Sequence, residues 1–306
     1  MFANFILRAG SLHLPVMNRI SETDLILNAD GSAYHLNLLP GEVADTVITV
    51  GDQDRVEGIT KYFDHIEFKK AKREFVTQTG RVGNKRVTVL STGIGTDNID
   101  IVLNELDALV NVDFETRTVN PKLKSLNIIR IGTSGAVQAD IPVDSLLVSE
   151  AAFGLDPLMH YYKQKLSIKE EVLLKAFRSA LPDDYSLTPY IASADEELLN
   201  KLGKNVLKGI TITAPGFYAP QGRQVRAISA MPNLMDVIQK FKSVDRRITN
   251  LEMETAGIYG LAANLGHKAL SFNIILANRA THTFSEQPGE IMDHYIQEIL
   301  SKISAL

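Results

Sequence analysis

The chain has no cysteine. That one absence removes disulfide staples, thiolate zinc sites and a thiol nucleophile, and it is compatible with a reducing compartment. No stretch approaches the roughly 20 consecutive apolar residues of a membrane span. The start is broken by Asn4, Arg8, Gly10, His13 and Pro15, so a secretory signal is not expected, and the chain reads as cytoplasmic. Neither charge sign dominates: 32 basic and 36 acidic residues leave a net charge of −4 and a pI near 6.0. A nucleic-acid partner would ask for a basic excess. There is no G-x-x-x-x-G-K-[ST] phosphate loop, no H-E-x-x-H pair among the seven histidines and no G-x-S-x-G elbow. Proline-rich linkers, repeats and long charge blocks are missing too. What is present is 45% hydrophobic residues over 306 positions, enough for a sizeable core.

That apolar content is patterned. Short β-branched runs at Thr46–Val50, Arg86–Leu90, Leu126–Ile131, Ser145–Ser149 and Ala269–Leu276 read as buried strands, with Phe75–Thr79 a further candidate. Helical spacing separates them at Ile99–Leu109, Lys169–Ala180, Leu234–Phe241, Thr255–Leu265 and Glu290–Ile303. Alternating strands and helices point to an α/β layered fold with a sheet covered on both faces. Residues 1–33 carry little pattern and read as an N-terminal arm, and 34–306 as a single domain.

Chemistry is expected where charged residues interrupt these runs. Arg130 sits inside an apolar strand that is expected to end in a Gly-Thr-Ser turn. A buried guanidinium needs a counter-charge, which is either a structural carboxylate or an anionic ligand held with Thr133. Arg55 follows the turn at Gly51, and Arg73 opens another strand. Each alone reads as a surface charge, but together at strand ends they would hold phosphate or sulfate. Glu252 and Glu254 would share a face if the backbone were extended there. A carboxylate at that junction either favours the following helix dipole or accepts ligand hydroxyls.

In order along the chain, Gly51–Arg55, Arg73–Phe75, Ser91–Gly95, Arg130–Ala136 and Glu252–Ala256 resemble the motifs of the trimeric and hexameric nucleoside phosphorylases, nearest to the uridine enzymes. The resemblance runs from about residue 34 to the C-terminus. It implies an α/β fold, with a central mixed, partly barrel-like sheet flanked by helices in three layers. It also implies a homo-oligomer of dimers that share active sites, leaving dimer and hexamer open. Phosphate would be held by the residues matching Gly51, Arg55, Arg130 and Thr133, with Arg73 from the neighbour. Ribose would be held by the residues matching His35, again from the neighbour, and Met253 and Glu254. Phe217, Gln221 and Arg223 would take the base. Glutamine both donates and accepts, which suits the adjacent C=O and N–H groups of uracil. Arginine suits the negative charge on the leaving base.

On this resemblance the activity is a pentosyl transfer: reversible phosphorolysis of uridine to uracil and ribose 1-phosphate in pyrimidine salvage, with Arg130, Glu254 and Arg223 as the catalytic groups. Phosphate is a co-substrate, and no metal or organic cofactor is expected. Some family members bind potassium between subunits through residues matching Glu74, Ile94 and Asn98. The last is a serine there, which counts against the ion here. Related purine enzymes carry an acidic aspartate where Asn278 stands, which disfavours purine cleavage. Other departures are Gln53 in place of a proline, a segment at Asn111–Lys124 that looks inserted, and the arm itself. The alternatives are a purine or broad-specificity phosphorylase, a water-using nucleosidase, and a nucleoside-binding protein that has lost turnover.

Overall fold

The computed structural model describes residues 19–306, so the expected arm lies partly outside the described residues. Strand β1 (Thr46–Val50) is buried at every position, as a strand covered on both faces must be. Helix α1 (Asp54–Thr60) leads from it to the antiparallel meander β2 (His65–Lys72), β3 (Phe75–Val82) and β4 (Lys85–Ser91). Strand β4 runs parallel to β1. Helix α2 (Thr96–Asn111) buries Ile99, Val102, Leu103 and Leu106, the stripe that its spacing predicts, and ends in the short hairpin β5 (Val112–Asp113) and β6 (Thr118–Val119). Strand β7 (Asn127–Ala136) then lies parallel to β1 on its other side.

The second half supplies β8 (Leu146–Gly154), α3 (Ile168–Ala180), β9 (Tyr190–Ser193), α4 (Glu196–Leu202), β10 (Leu207–Thr213) and α5 (Leu234–Lys240). After these come β11 (Lys242–Ser243), β12 (Arg246–Glu252), α6 (Thr255–Leu265), β13 (Lys268–Asn278), β14 (Thr283–Phe284) and α7 (Pro288–Ser304). The sheet is mixed, and five of its strands close on themselves. From β7 the order runs through β13, β8, β10 and β12, and β12 returns to β7 through the pairs Asn250–Ala136 and Leu251–Gly135. Closure removes the free edges of those strands. The partly barrel-like sheet flanked by helices is therefore the observed fold.

Two expectations change. Strand β7 continues to Ala136, because Gly132–Gly135 stays paired with Asn273–Ala277 of β13 instead of turning. The backbone there is committed to the sheet and offers no turn amides to a ligand. Glu252 and Glu254 do not share an extended face, because β12 ends at Glu252 and Glu254 is the N-cap of α6.

The described part of the arm packs against the body. Leu25 and Ala33 are buried, and Leu27 bridges Ala33. The buried Arg117, in the hairpin at 112–119, donates to the carbonyls of Ile20 (3.1 Å), Ser21 (2.9 Å) and Leu25.

Candidate active site

Arg130 is 5% exposed, and its side chain folds back along its own strand over Gly132. A Cβ at 132 would lie 1.9 Å from Arg130 Nη1, so only glycine leaves room for the guanidinium. This close approach accounts for the Arg-x-Gly spacing. Nη2 lies 2.6 Å from Glu254 Oε2 and 3.0 Å from Glu252 Oε2, while Nη1 donates to Asn273 Oδ1 at 3.2 Å. Burial opposes the charge on Arg130, but the carboxylates of Glu252 and Glu254 outweigh it and hold its pKa above the ordinary value. The counter-charge required by a buried arginine is thus supplied within the chain.

The two carboxylates divide the tasks foreseen for them. Glu252 accepts from Thr213 Oγ1 (2.7 Å) and from the backbone N–H groups of Glu254 and Thr255 (3.0 Å each), and so closes the first turn of α6. Glu254 points the other way. Its Oε1 accepts from the N–H of Gly95 (2.8 Å), which sits at φ 96° just before α2. Burial, seconded by Glu252, pushes the Glu254 carboxyl up against the pull of Arg130. With two protein donors, Glu254 keeps acceptor capacity for hydroxyl groups.

Arg55, at the start of α1, supplies an unbalanced charge. Burial and then the positive field of Arg130 lower its pKa, with only partial relief from Asp52 and Glu254. Among the described residues no carboxylate pairs with it. A half-buried guanidinium next to a second one favours an anion between them. Gly51 follows β1, and a Cβ there would be 3.5 Å from the carbonyl of Gly93. Thr133 is half-buried on β7, and Met253 lies half-buried between the two glutamates.

Arg73 and His35 meet on a surface bordered by Tyr34. Exposed Arg73, at φ 55°, lies 5.6 Å from the ring centre of Tyr34, and Gln53 donates to its carbonyl at 3.0 Å. His35 Nδ1 is 2.6 Å from Glu105 Oε1, and the same carboxylate takes the N–H groups of His35 and Leu36 (3.0 and 2.8 Å). Among the described residues nothing joins either side chain to Arg130 within one chain. Beside this surface, Glu74 and Asn98 both flank Gly93, while Ile94 is exposed.

The loop after β10 begins next to Glu252 and brings together the three expected base-binding residues. Gln221 is 3% exposed, and its Oε1 accepts from Arg223 Nη1 at 2.6 Å. The Arg223 guanidinium lies 3.8 Å from the Phe217 ring centre and so covers one face of the ring, which is otherwise exposed. Arg279, which the sequence did not single out, donates to the carbonyl of Gln221 at 2.9 Å. Burial and then Arg279 lower the pKa of Arg223. A second arginine pair thus repeats the logic of the first. Behind the loop, Leu155, Pro215, Pro220, Met231 and Leu234 help line an apolar cavity of about 200 Å³. No charged side chain lines it, so it suits neither an anion nor a polar base edge. Asn278 is fully engaged: its amide donates to the carbonyls of Gln138 (2.9 Å) and Ile141 (2.7 Å) and accepts from the N–H groups of Ala280 and Thr281.

Fold and site together define a closed-barrel α/β protein that can hold an anion beside a hydroxyl-accepting carboxylate. The phosphorylase superfamily matches residues 45–305, and the chain belongs to it. It is 30% identical to a uridine phosphorylase of Thermococcus kodakarensis over 84% of this chain and 81% of that one. It is 31% identical to a DeoD-type purine nucleoside phosphorylase of Colwellia psychrerythraea over 78% and 83%. A solved Trypanosoma brucei nucleoside phosphorylase, described as showing uridine phosphorylase activity, superposes with a TM-score of 0.83 at 28% identity, covering 92% of this chain and all of that one. The chain is an enzyme of the nucleoside phosphorylase class, a pentosyltransferase. Among the described residues no helix is long and apolar enough to cross a membrane.

Proposed function

We propose that the protein catalyses the reversible phosphorolysis of uridine, giving uracil and ribose 1-phosphate. The observation that carries the phosphate half is Arg55, half-buried in the positive field of Arg130 and paired with no carboxylate among the described residues. Phosphate seated there, with Gly51 and Thr133 at its edge, would lie below C1′ of a ribose whose 2′- and 3′-hydroxyls bond Glu254 and whose lower face rests on Met253. Holding it there replaces a bimolecular encounter with a positioned attack. As the C1′–N1 bond lengthens, the sugar gains positive charge, which phosphate and Glu254 stabilise. The electron pair moves onto the base, where Arg223 and Gln221 receive it. A base stacking on the face of Phe217 that Arg223 covers would displace the guanidinium, and the buried amide of Gln221 would then be free to bond the uracil edge. No metal or organic cofactor is proposed.

His35 and Arg73 complete the site from the neighbouring subunit in this reading. Neither side chain bonds Arg130 among the described residues, which supports this reading, and it makes a dimer with shared sites the minimal active unit. The similarity to a purine enzyme keeps a second reading alive, cleavage of purine nucleosides. Against it stands Asn278, whose amide cannot act as an acid and is already engaged on both sides. The test is a panel of uridine, thymidine and inosine with phosphate varied. Phosphate-dependent release of uracil well ahead of hypoxanthine is expected. Faster release from inosine would overturn the uridine assignment, and release indifferent to phosphate would point to a nucleosidase.

A further inference from the structure

Each of the five barrel strands contributes a polar side chain to one line of hydrogen bonds. From Arg130 on β7, Nη1 reaches Asn273 Oδ1 on β13 at 3.2 Å. Asn273 Nδ2 donates to Ser149 Oγ on β8 (2.9 Å), which lies 2.5 Å from Thr211 Oγ1 on β10. Thr211 Oγ1 donates to Asn250 Oδ1 on β12 (2.9 Å), and Asn250 Nδ2 donates to Ser134 Oγ, back on β7 (2.7 Å). The sequence of contacts repeats the strand order around the barrel, so the side chains form a girdle that starts and ends on the strand carrying Arg130. All are buried.

The arginine sets the direction at Asn273. A guanidinium can only donate, so Asn273 must turn its oxygen toward Arg130 and its NH₂ toward Ser149. Thr211 gives its one proton to Asn250 Oδ1, so Ser149 is the donor to Thr211. We propose that this girdle, acting through Asn273, is a positioning device for the anion-binding arginine. It fixes the guanidinium plane so that Glu252 and Glu254 take Nη2 alone. The Nε–H and the second Nη1 hydrogen are then without a protein acceptor among the described residues and are free for phosphate. A neutral amide is the right partner here. It accepts one hydrogen without adding a third carboxylate to compete with the anion.

The inference rests on the phosphorolysis reading for its assay, but the two can fail separately. Asn273→Ala removes the acceptor and Asn273→Asp replaces it with a carboxylate. Ser149→Ala opens the girdle one residue away and serves if the first two fold poorly. The KM for phosphate is expected to rise about tenfold in Asn273→Asp, less in Asn273→Ala and about threefold in Ser149→Ala, since bonds to charged groups weigh more than neutral ones. The KM for uridine should stay within about twofold of the parent in all three. The rise in melting temperature on adding phosphate, read without turnover, should shrink in the same order. A phosphate KM unchanged in the folded variants, or KM values for both substrates rising together, would overturn the inference. A parent protein that releases uracil without phosphate would strike the phosphorolysis reading instead.

Discussion

At the scale of single residues, the site depends on whether a guanidinium can lie flat along a strand. Gly132 makes that possible, and Gly132→Ala puts a methyl group where Arg130 Nη1 now sits. The variant is expected to lose about 100-fold in kcat/KM, the effect of displacing a positioned group by about 1 Å. A variant with unchanged kinetics would mean that Arg130 need not lie where it does. Arg130 was legible in the sequence because a charge interrupts an apolar run. Asn273 carries the same signal within Ala269–Leu276, a polar residue in an apolar strand, but a neutral amide does not announce an unpaired charge. Arg279 gave no signal, since a lone arginine after a strand reads as surface. The resemblance singled out Glu254 for the ribose, but periodicity alone did not show that Glu252 would bond the first amides of α6, because that depends on where β12 stops and α6 starts.

At the scale of elements, the longer helices and the most apolar strands were legible, the barrel strands β7, β8 and β13 among them, while the short helices α1 and α4 and the barrel strands β10 and β12 were not. Strand β10 (LKGITIT) and β12 (RRITNLE) place Thr211 and Asn250 in the girdle, which breaks up the apolar run that marks a buried strand. Strand β2 is exposed or half-exposed along its length and carries three lysines. The described part of the arm is joined by Arg117 to the stretch at 111–124. Arg117→Ala leaves carbonyls of Ile20, Ser21 and Leu25 without their donor and should cost about 1–3 kcal/mol. Limited proteolysis should then cut first near residues 20–25. A cleavage pattern like the parent's would show that the arm is held by other contacts.

Asp156 ties β8 to β9 and to the first turn after it. Its carboxylate accepts from Tyr190 Oη (2.9 Å) and from the N–H of Leu158 (2.9 Å). Burial pushes this carboxyl up, against those hydrogen bonds. The folded chain therefore holds the Asp156 proton at a pH where the unfolded chain has released it. Stability from this group is fully present below the ordinary carboxylate range and is lost as pH climbs through the raised value. Asp156→Asn should remove that slope and melt no lower than the parent at neutral pH. A melting deficit that widens as pH rises would contradict the direction of the shift.

At the scale of the whole molecule, the side chains proposed to bind phosphate and ribose include two sets with no bond between them among the described residues, Arg55–Arg130–Glu254 and His35–Arg73. If partners complete each other's sites, two defective variants can share one good site. Refolding His35→Ala together with Glu254→Gln should give mixed dimers with activity well above either variant alone, up to about a quarter of the parent. No gain on mixing would place both groups in the same site of the same chain and remove the shared-site dimer.

The central claim is that the positive charge gathered at Arg55 and Arg130 exists to seat phosphate for attack on the sugar. It is tested most directly by uracil release from uridine as phosphate is titrated, in the parent and in Arg55→Met. The parent should be nearly silent without phosphate and saturate as it is added. The variant should need at least about tenfold more phosphate for the same rate and melt no lower than the parent, since it has lost a half-buried, unpaired charge. Equal phosphate requirements in the two proteins, or uracil release from the parent without phosphate, would contradict the account.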